Sequence, residues 1–152
     1  MGPKREPVPV RAVRVRPAPY VFVVKDMLKA LGFKPVKWLY TPEEGQVWNL
    51  EREWGRYWTI HVRGFEDGLV VSEVEPRRIY IEHPFYTHPV DSDWLIPLLE
   101  REGIGYEVVE VVRTGTRELP KALHDWRRMV AAGGLAALLV GVGVWAWLNA
   151  RR

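Results

Sequence analysis

QVWNLEREWGRYWTIHVRGFEDGLVVSEVEP, residues 46–76, changes side-chain character at nearly every second position. Trp48, Leu50, Arg52 and Trp54 alternate with Glu51 and Glu53. After Gly55, Trp58, Ile60 and Val62 alternate with Tyr57, Thr59, His61 and Arg63. A period of two belongs to a strand with one face on a core and the other toward solvent. Asp67-Gly68 is a strong hairpin signal, because both residues tolerate the backbone of a tight turn. Strands are expected at 69–74 and, beyond Glu75-Pro76-Arg77, at 78–82. The stretch reads as an antiparallel meander.

Outward from it, the pattern changes. On the amino-terminal side Asp26 can cap a short helix, Met27 to Leu31, which Gly32 and Pro35 stop. Val36, Trp38 and Tyr40 then alternate with polar neighbours as a strand would. On the other side Asp91-Ser92-Asp93 opens a second helix running to about Glu102 and ended by Gly103, with Pro97 bending or delaying it. Residues 105–112, GYEVVEVV, are a further strand. The expected fold class is α+β: a mostly antiparallel β-meander with two short helices on one face, followed by a single C-terminal transmembrane α-helix.

That last expectation rests on Met129 to Leu148, MVAAGGLAALLVGVGVWAWL, twenty residues without a charge. Twenty helical residues rise about 30 Å, the thickness of a hydrocarbon core. The flanks agree: Trp126, Arg127 and Arg128 stand at one boundary, and Trp145, Trp147, Arg151 and Arg152 at the other. Interfacial aromatics and snorkelling cations of this kind mark membrane boundaries. With no earlier hydrophobic segment, the expected topology is tail-anchored. The excess of basic residues before the span places the amino-terminal domain on the cytoplasmic side, or on the interior or shell side of a virion membrane. Gly133, Ala137 and Gly141 recur every four residues and form a ridge where a second helix, from this chain or another, can approach closely.

The net charge of +3 conceals a division. Residues 1–25 carry +5, residues 26–112 carry −7, residues 113–128 carry +3 and the last two arginines +2. An acidic body repels phosphate backbones, so nucleic-acid binding would fall to the amino terminus. There Pro3, Pro7, Pro9, Pro17 and Pro19 interrupt Arg11, Arg14 and Arg16, with Val13 and Val15 between them. Proline at this density favours an extended chain. The expected organisation is therefore an extended basic arm over 1–19, a soluble domain over 20–112, a juxtamembrane lead-in over 113–128, the span over 129–148 and a basic tail over 149–152. Arg11, Val13, Arg14, Val15 and Arg16 are the arm's candidate contacts, to anionic lipid, to nucleic acid or to a neighbouring protein.

Motifs for chemistry are sparse. The absence of cysteine excludes thiol catalysis, thiolate zinc sites and iron–sulfur clusters. Gln46 is the only glutamine and Asn49 and Asn149 the only asparagines, a depletion that fits a thermophilic source or a GC-rich codon bias. His83, His88 and Asp91 could hold a divalent metal, but two prolines and a spacing unlike zinc motifs favour a loop with solvated histidines. His61 is read as structural or solvated. Glu51 with Glu53, and Glu73 with Glu75, are read as solvent-facing strand carboxylates, and Ser92 as a helix cap. Gly103-Ile104-Gly105 follows a helix and lacks the third glycine of a phosphate loop. Trp38, Trp48, Trp54, Trp58 and Trp94 are expected mainly in the core, with an exposed platform as the alternative.

No cofactor and no catalytic residue is expected. The leading functional expectation is a membrane-anchored structural or interaction module, a small subunit of a larger assembly in a cell membrane or a membrane-containing virion. Its partners would be the bilayer and other protein subunits. The alternatives are a membrane-tethered metal-dependent hydrolase using His83, His88 and Asp91, and a tethered nucleic-acid binder working through the arm.

Overall fold

The computed structural model describes residues 4–36, 42–54, 58–76 and 87–116. Within them, seven strands form one antiparallel sheet accompanied by two short helices. The strands are β1 (Glu6–Arg16), β2 (Lys34–Pro35), β3 (Gln46–Trp54), β4 (Trp58–Phe65), β5 (Leu69–Pro76), β6 (His88–Val90) and β7 (Gly105–Gly115). The helices are α1 (Val21–Ala30) and α2 (Ile96–Arg101). The spatial order is β2-β3-β4-β5-β1-β7, with β6 also paired to β5. The meander β3-β4-β5 is as the alternation predicts, Glu51 lying opposite His61 and His61 opposite Glu73. The strand expected at 78–82, the residues Trp38 and Tyr40, and the whole span from 129 to 148 lie outside the described residues.

The amino-terminal segment departs most from expectation. Residues 6–16, read as an arm without a private core, are β1, which lies between β5 and β7. It pairs with β7 along its full length, from Glu6 opposite Gly115 to Arg16 opposite Gly105. Its prolines are compatible with this because of their spacing. The Arg11 backbone N–H donates to Asp91 (2.9 Å) and its carbonyl accepts from Ser92 N–H (2.8 Å), so odd-numbered positions turn their backbone polar groups away from β7. Pro7 and Pro9 share that parity, and the N–H each lacks would not have belonged to the β7 ladder. Val13 and Val15 are buried in the main core.

That core lies between one face of the sheet and the helices. Val13, Val15, Leu50, Ile60, Val62, Val70 and Val74 come from the strands, and Val21, Val24, Met27, Leu28, Leu98 and Leu99 from the helices. The first helix starts at Val21, earlier than the cap residue Asp26 suggests. Val21, Val24 and Leu28 fall on one helical face, and burying them outweighs the weak preference of valine for strands. Asp26 is exposed in the helix interior. The second helix is also shorter than expected: Asp93–Leu95 is a single 3-10 turn, and regular helix begins at Ile96 with Pro97 in its first turn.

Both helices stop in the same way. Phe33 N–H donates to the Leu28 carbonyl and Gly32 N–H to that of Lys29, while Ile104 N–H donates to Leu99 and Gly103 N–H to Glu100. These are Schellman closures, with Gly32 (φ 90°) and Gly103 (φ 67°) in the left-handed conformation that they require. Phe33 and Ile104 follow the glycines and enter the core. Of the tryptophans, Trp48 and Trp58 are buried while Trp54 and Trp94 pack against the core from its edge. Trp94 stacks on Phe33 with ring centres 6.1 Å apart.

Trp48 seals α1 to the sheet, its indole N–H donating to the Val21 carbonyl at 3.0 Å. Its ring lies over Gly64 on β4, where an added Cβ would come within 2.1 Å of the indole. Gly64→Ala is therefore expected to destabilise the domain by about 1–3 kcal/mol through overpacking. Chemical denaturation checks this, with Gly103→Ala, whose Cβ meets nothing within 4 Å, as a comparison in which only backbone strain acts.

Candidate metal centre and ion-pair network

The sheet face turned away from the helices carries charge. On β4, Trp58, Ile60 and Val62 face the helices, so Thr59, His61, Arg63 and Phe65 take the opposite face. Every residue of β4 is nonetheless buried. Part of that cover is apolar, from Ala12, Phe65 and Val71 with Leu69, Val109 and Val111 packed around them. The rest is ionic. Glu73 is buried between two guanidinium groups, accepting from Arg63 Nε at 3.1 Å and from Arg113 at 3.0 Å. Arg113, on β7, also makes a two-pronged contact to Glu43 at 2.6 Å for each prong. The turn before β3 and the last strand therefore meet over the middle of the sheet.

Charge is matched within this group, which is what allows it to be buried. Burial by itself would lower the Arg113 pKa, but its bonds to Glu43 and the nearby charge of Glu73 raise it. For Glu43 burial pushes the pKa up, and the bonds from Arg113 prevail and hold it below its ordinary value. Arg63 extends the network to Gln46 Oε1 at 3.0 Å. Glu73, expected in solvent, is thus a central buried member. Its neighbours Ser72 and Val74 and its alternation carry no sign of the arginine that arrives from forty residues away.

Beside the network lies a second constellation. His61 is enclosed, with its side chain 2% exposed. Its Nε2 is 2.6 Å from Glu75 Oε1 and 3.3 Å from Glu51 Oε2. Glu51 lies directly opposite on β3, while Glu75 is a diagonal neighbour on β5. The residue opposite His61 on β5 is Glu73, already engaged by Arg63 and Arg113, so the imidazole leans to the next carboxylate on that face. One ligand atom from each of Glu51, His61 and Glu75 lies within 4.8 Å of the others. The arrangement can pass a proton between imidazole and carboxylate or hold a divalent cation. The sequence alone places all three residues in structural or solvent-facing roles. The alternation places them on one face, but only strand register brings them together.

The histidine loop behaves differently. His83 lies outside the described residues, and His88 is buried in β6. His88 Nδ1 is 2.8 Å from the Thr116 carbonyl, and since a carbonyl only accepts, that nitrogen carries the proton. Its Nε2 is buried without a hydrogen-bond partner among the described residues. Asp91 is committed to Arg11, accepting from both its backbone N–H and its guanidinium at 2.9 Å. The expectation of solvated histidines therefore fails for His88, which is buried with the lone pair of Nε2 uncommitted, while Asp91 is engaged by Arg11. Ser72 and Ser92 bond to each other at 2.9 Å, and the Trp94 indole donates to Ser72. Ser92 makes no side-chain cap for the turn that follows.

The arm's arginines are also engaged. Arg11 bridges Asp91 and Asp93, Arg14 reaches Asp67 and Glu107, and Arg16 pairs with Glu107. Gly133, Ala137 and Gly141, and the boundary residues Trp126, Arg127, Arg128, Trp145, Trp147, Arg151 and Arg152, lie outside the described residues. Among the described residues, no helix is long and apolar enough to cross a membrane. Comparison with known protein families, characterised proteins and solved structures finds no match to this chain.

Two outcomes follow from this geometry. Burial lowers the His88 pKa below 6.5, the Thr116 bond opposing it only in part. The unfolded chain therefore binds a proton here before the folded one does, and the associated stability, full above pH 6.5, is lost as pH falls through the lower folded value. Thermal unfolding followed from pH 8 to pH 5 should show this decline, and His88→Phe should flatten it. Separately, Arg113→Met leaves Glu73 and Glu43 without one of their cations and is expected to cost about 3–5 kcal/mol, as for other broken buried pairs. The double variant Arg113→Met/Glu43→Gln should recover part of that loss in the same unfolding assay.

Proposed function

We propose that this chain is a membrane-anchored interaction module, a small subunit of a larger membrane-associated assembly. The observation that carries the reading is the uncharged run from Met129 to Leu148, bounded by Trp126, Arg127 and Arg128 on one side and by Trp145, Trp147, Arg151 and Arg152 on the other. Gly133, Ala137 and Gly141 would serve a helix partner within the bilayer.

Two features of the domain support this reading. Val108 is 45% and Val112 67% exposed, and both lie on β7, which pairs with β1 alone among the described strands and leads toward the span. Exposed valines along an edge strand suit contact with another protein. The serines bond to one another, and Trp48 and Trp58 are in the core, which favours a scaffold over a serine hydrolase or an aromatic binding platform. The reading of the arm as a nucleic-acid or anionic-lipid contact is weakened, because Arg11, Arg14 and Arg16 meet acidic side chains of their own domain. The hydrolase reading through His83, His88 and Asp91 is weakened by the commitment of Asp91 to Arg11.

The full chain should resist alkaline carbonate extraction from membranes, and a chain ending at residue 128 should be released. Solubilised in mild detergent from its native source, it should migrate with stoichiometric protein partners identifiable by mass spectrometry. Release of the full chain by carbonate would remove the anchor, and a solitary monomer in detergent would remove the assembly.

A further inference from the structure

The geometry points to a divalent transition-metal site formed by Glu51, His61 and Glu75. The inference is independent of how the chain meets a membrane. Its basis is the convergence of one imidazole nitrogen and two carboxylate oxygens from three adjacent strands, all within 4.8 Å of one another. Among the described residues this is the one group of three such side chains so placed.

Three physical points separate it from an ordinary histidine–carboxylate pair. First, both carboxylates address the same ring nitrogen, Nε2, at 2.6 Å and 3.3 Å. One ring nitrogen carries at most one proton, which can be given fully to only one acceptor, whereas a cation accepts lone pairs from all three groups at once. Second, the two separations from the ring nitrogen are close to what a metal imposes. Ligands at about 2.1 Å from a common ion and at right angles are about 3 Å apart. The Glu51 contact already meets this, and the Glu75 contact needs to open by a few tenths of an ångström, within the reach of a glutamate side chain. Third, the ligands are graded in exposure, 2% for His61, 12% for Glu75 and 31% for Glu51. The nitrogen is fixed deep in β4, and the Glu51 side leaves an approach for the ion and for the waters that would complete its shell.

The donor set indicates the metal class. Magnesium and calcium take oxygen ligands, and calcium takes six to eight of them. A set of one imidazole with two carboxylates, and no thiolate, suits zinc, manganese or ferrous iron. Bound there, the ion would tie β3, β4 and β5 together across the polar face, next to the Arg63–Glu73–Arg113 network.

The test uses the full chain in detergent, stripped with chelator and then titrated with Co2+ as a spectroscopic probe and with Zn2+ by equilibrium dialysis. The expected result is one equivalent of metal per chain, a visible Co2+ absorption band and a rise in unfolding temperature with Zn2+. Glu51→Gln and Glu75→Gln should each weaken Zn2+ binding by tenfold or more, and His61→Ala should abolish it. Glu51 is the most exposed of the three and glutamine keeps its shape, so Glu51→Gln carries the test should the buried histidine variant fail to fold. A variant lacking the two histidines that lie outside the described residues, His83→Ala/His124→Ala, should bind as the unaltered chain does. Absence of binding to the unaltered chain would overturn the proposal. So would binding that survives unchanged in both glutamine variants, or binding lost when only His83 and His124 are replaced.

Discussion

Pairing of the first strand with the last is the constraint on which the rest of this domain depends. β1 and β7 share eleven residue pairs, from Glu6–Gly115 to Arg16–Gly105, and only then does β1 have a fixed edge to offer β5 at Val13 and Arg14. The meander β3-β4-β5 is a local structure that forms by short turns, but it presents a long free edge on β5. β6 covers Ser72 to Val74 of that edge, but Leu69 and Val70 take residues more than fifty positions away in sequence, and their pairing also places Val13 and Val15 beneath the helices. Contacts of this span make the loop-closure cost large and the whole sheet cooperative.

The same pairing settles the charge of the molecule. Taken along the chain, a basic amino terminus precedes an acidic body. Folded, Arg11 lies between Asp91 and Asp93, and Arg16 beside Glu107, holding that carboxyl below its ordinary pKa. The surplus on each side is largely the counterpart of the other. Such exposed pairs contribute little to stability individually. The buried set around Glu73 is a different matter, because its members could not be there singly. Arg63 and Arg113 are tolerable in the interior only with Glu73 and Glu43, and their removal one at a time leaves an uncompensated charge.

On that face the polar residues fall into two adjoining groups that compete for partners. Glu73 is taken by two arginines, so His61, which lies directly opposite it, turns to Glu75 and to Glu51. The candidate metal ligands are thus a consequence of the neighbouring ion pairs. Their convergence needs the register of three strands and the diagonal lean of one side chain, neither of which is a property of any single strand. His88 owes its burial to β6, whose three residues pair with β5 beyond the point where β1 leaves it.

By itself the sequence determined the meander from 46 to 76, the separation of Trp48, Leu50, Ile60 and Val62 from their charged neighbours, and the ends of both helices at Gly32 and Gly103. These follow from periodicity and from the backbone freedom of glycine, which are local and survive in one dimension. Tertiary structure decided the rest. It made a central strand of a segment whose prolines suggested a tail, because Pro7 and Pro9 both fall where no β7 bond is needed. It extended α1 back to Val21, because a buried face outweighs a capping signal at Asp26. It drew Glu73, Arg63 and Arg113 into the interior and brought Glu51, His61 and Glu75 to one point, because partners from distant strands cancel the cost of burying charge, and nothing in a strand's own alternation records which partner will arrive.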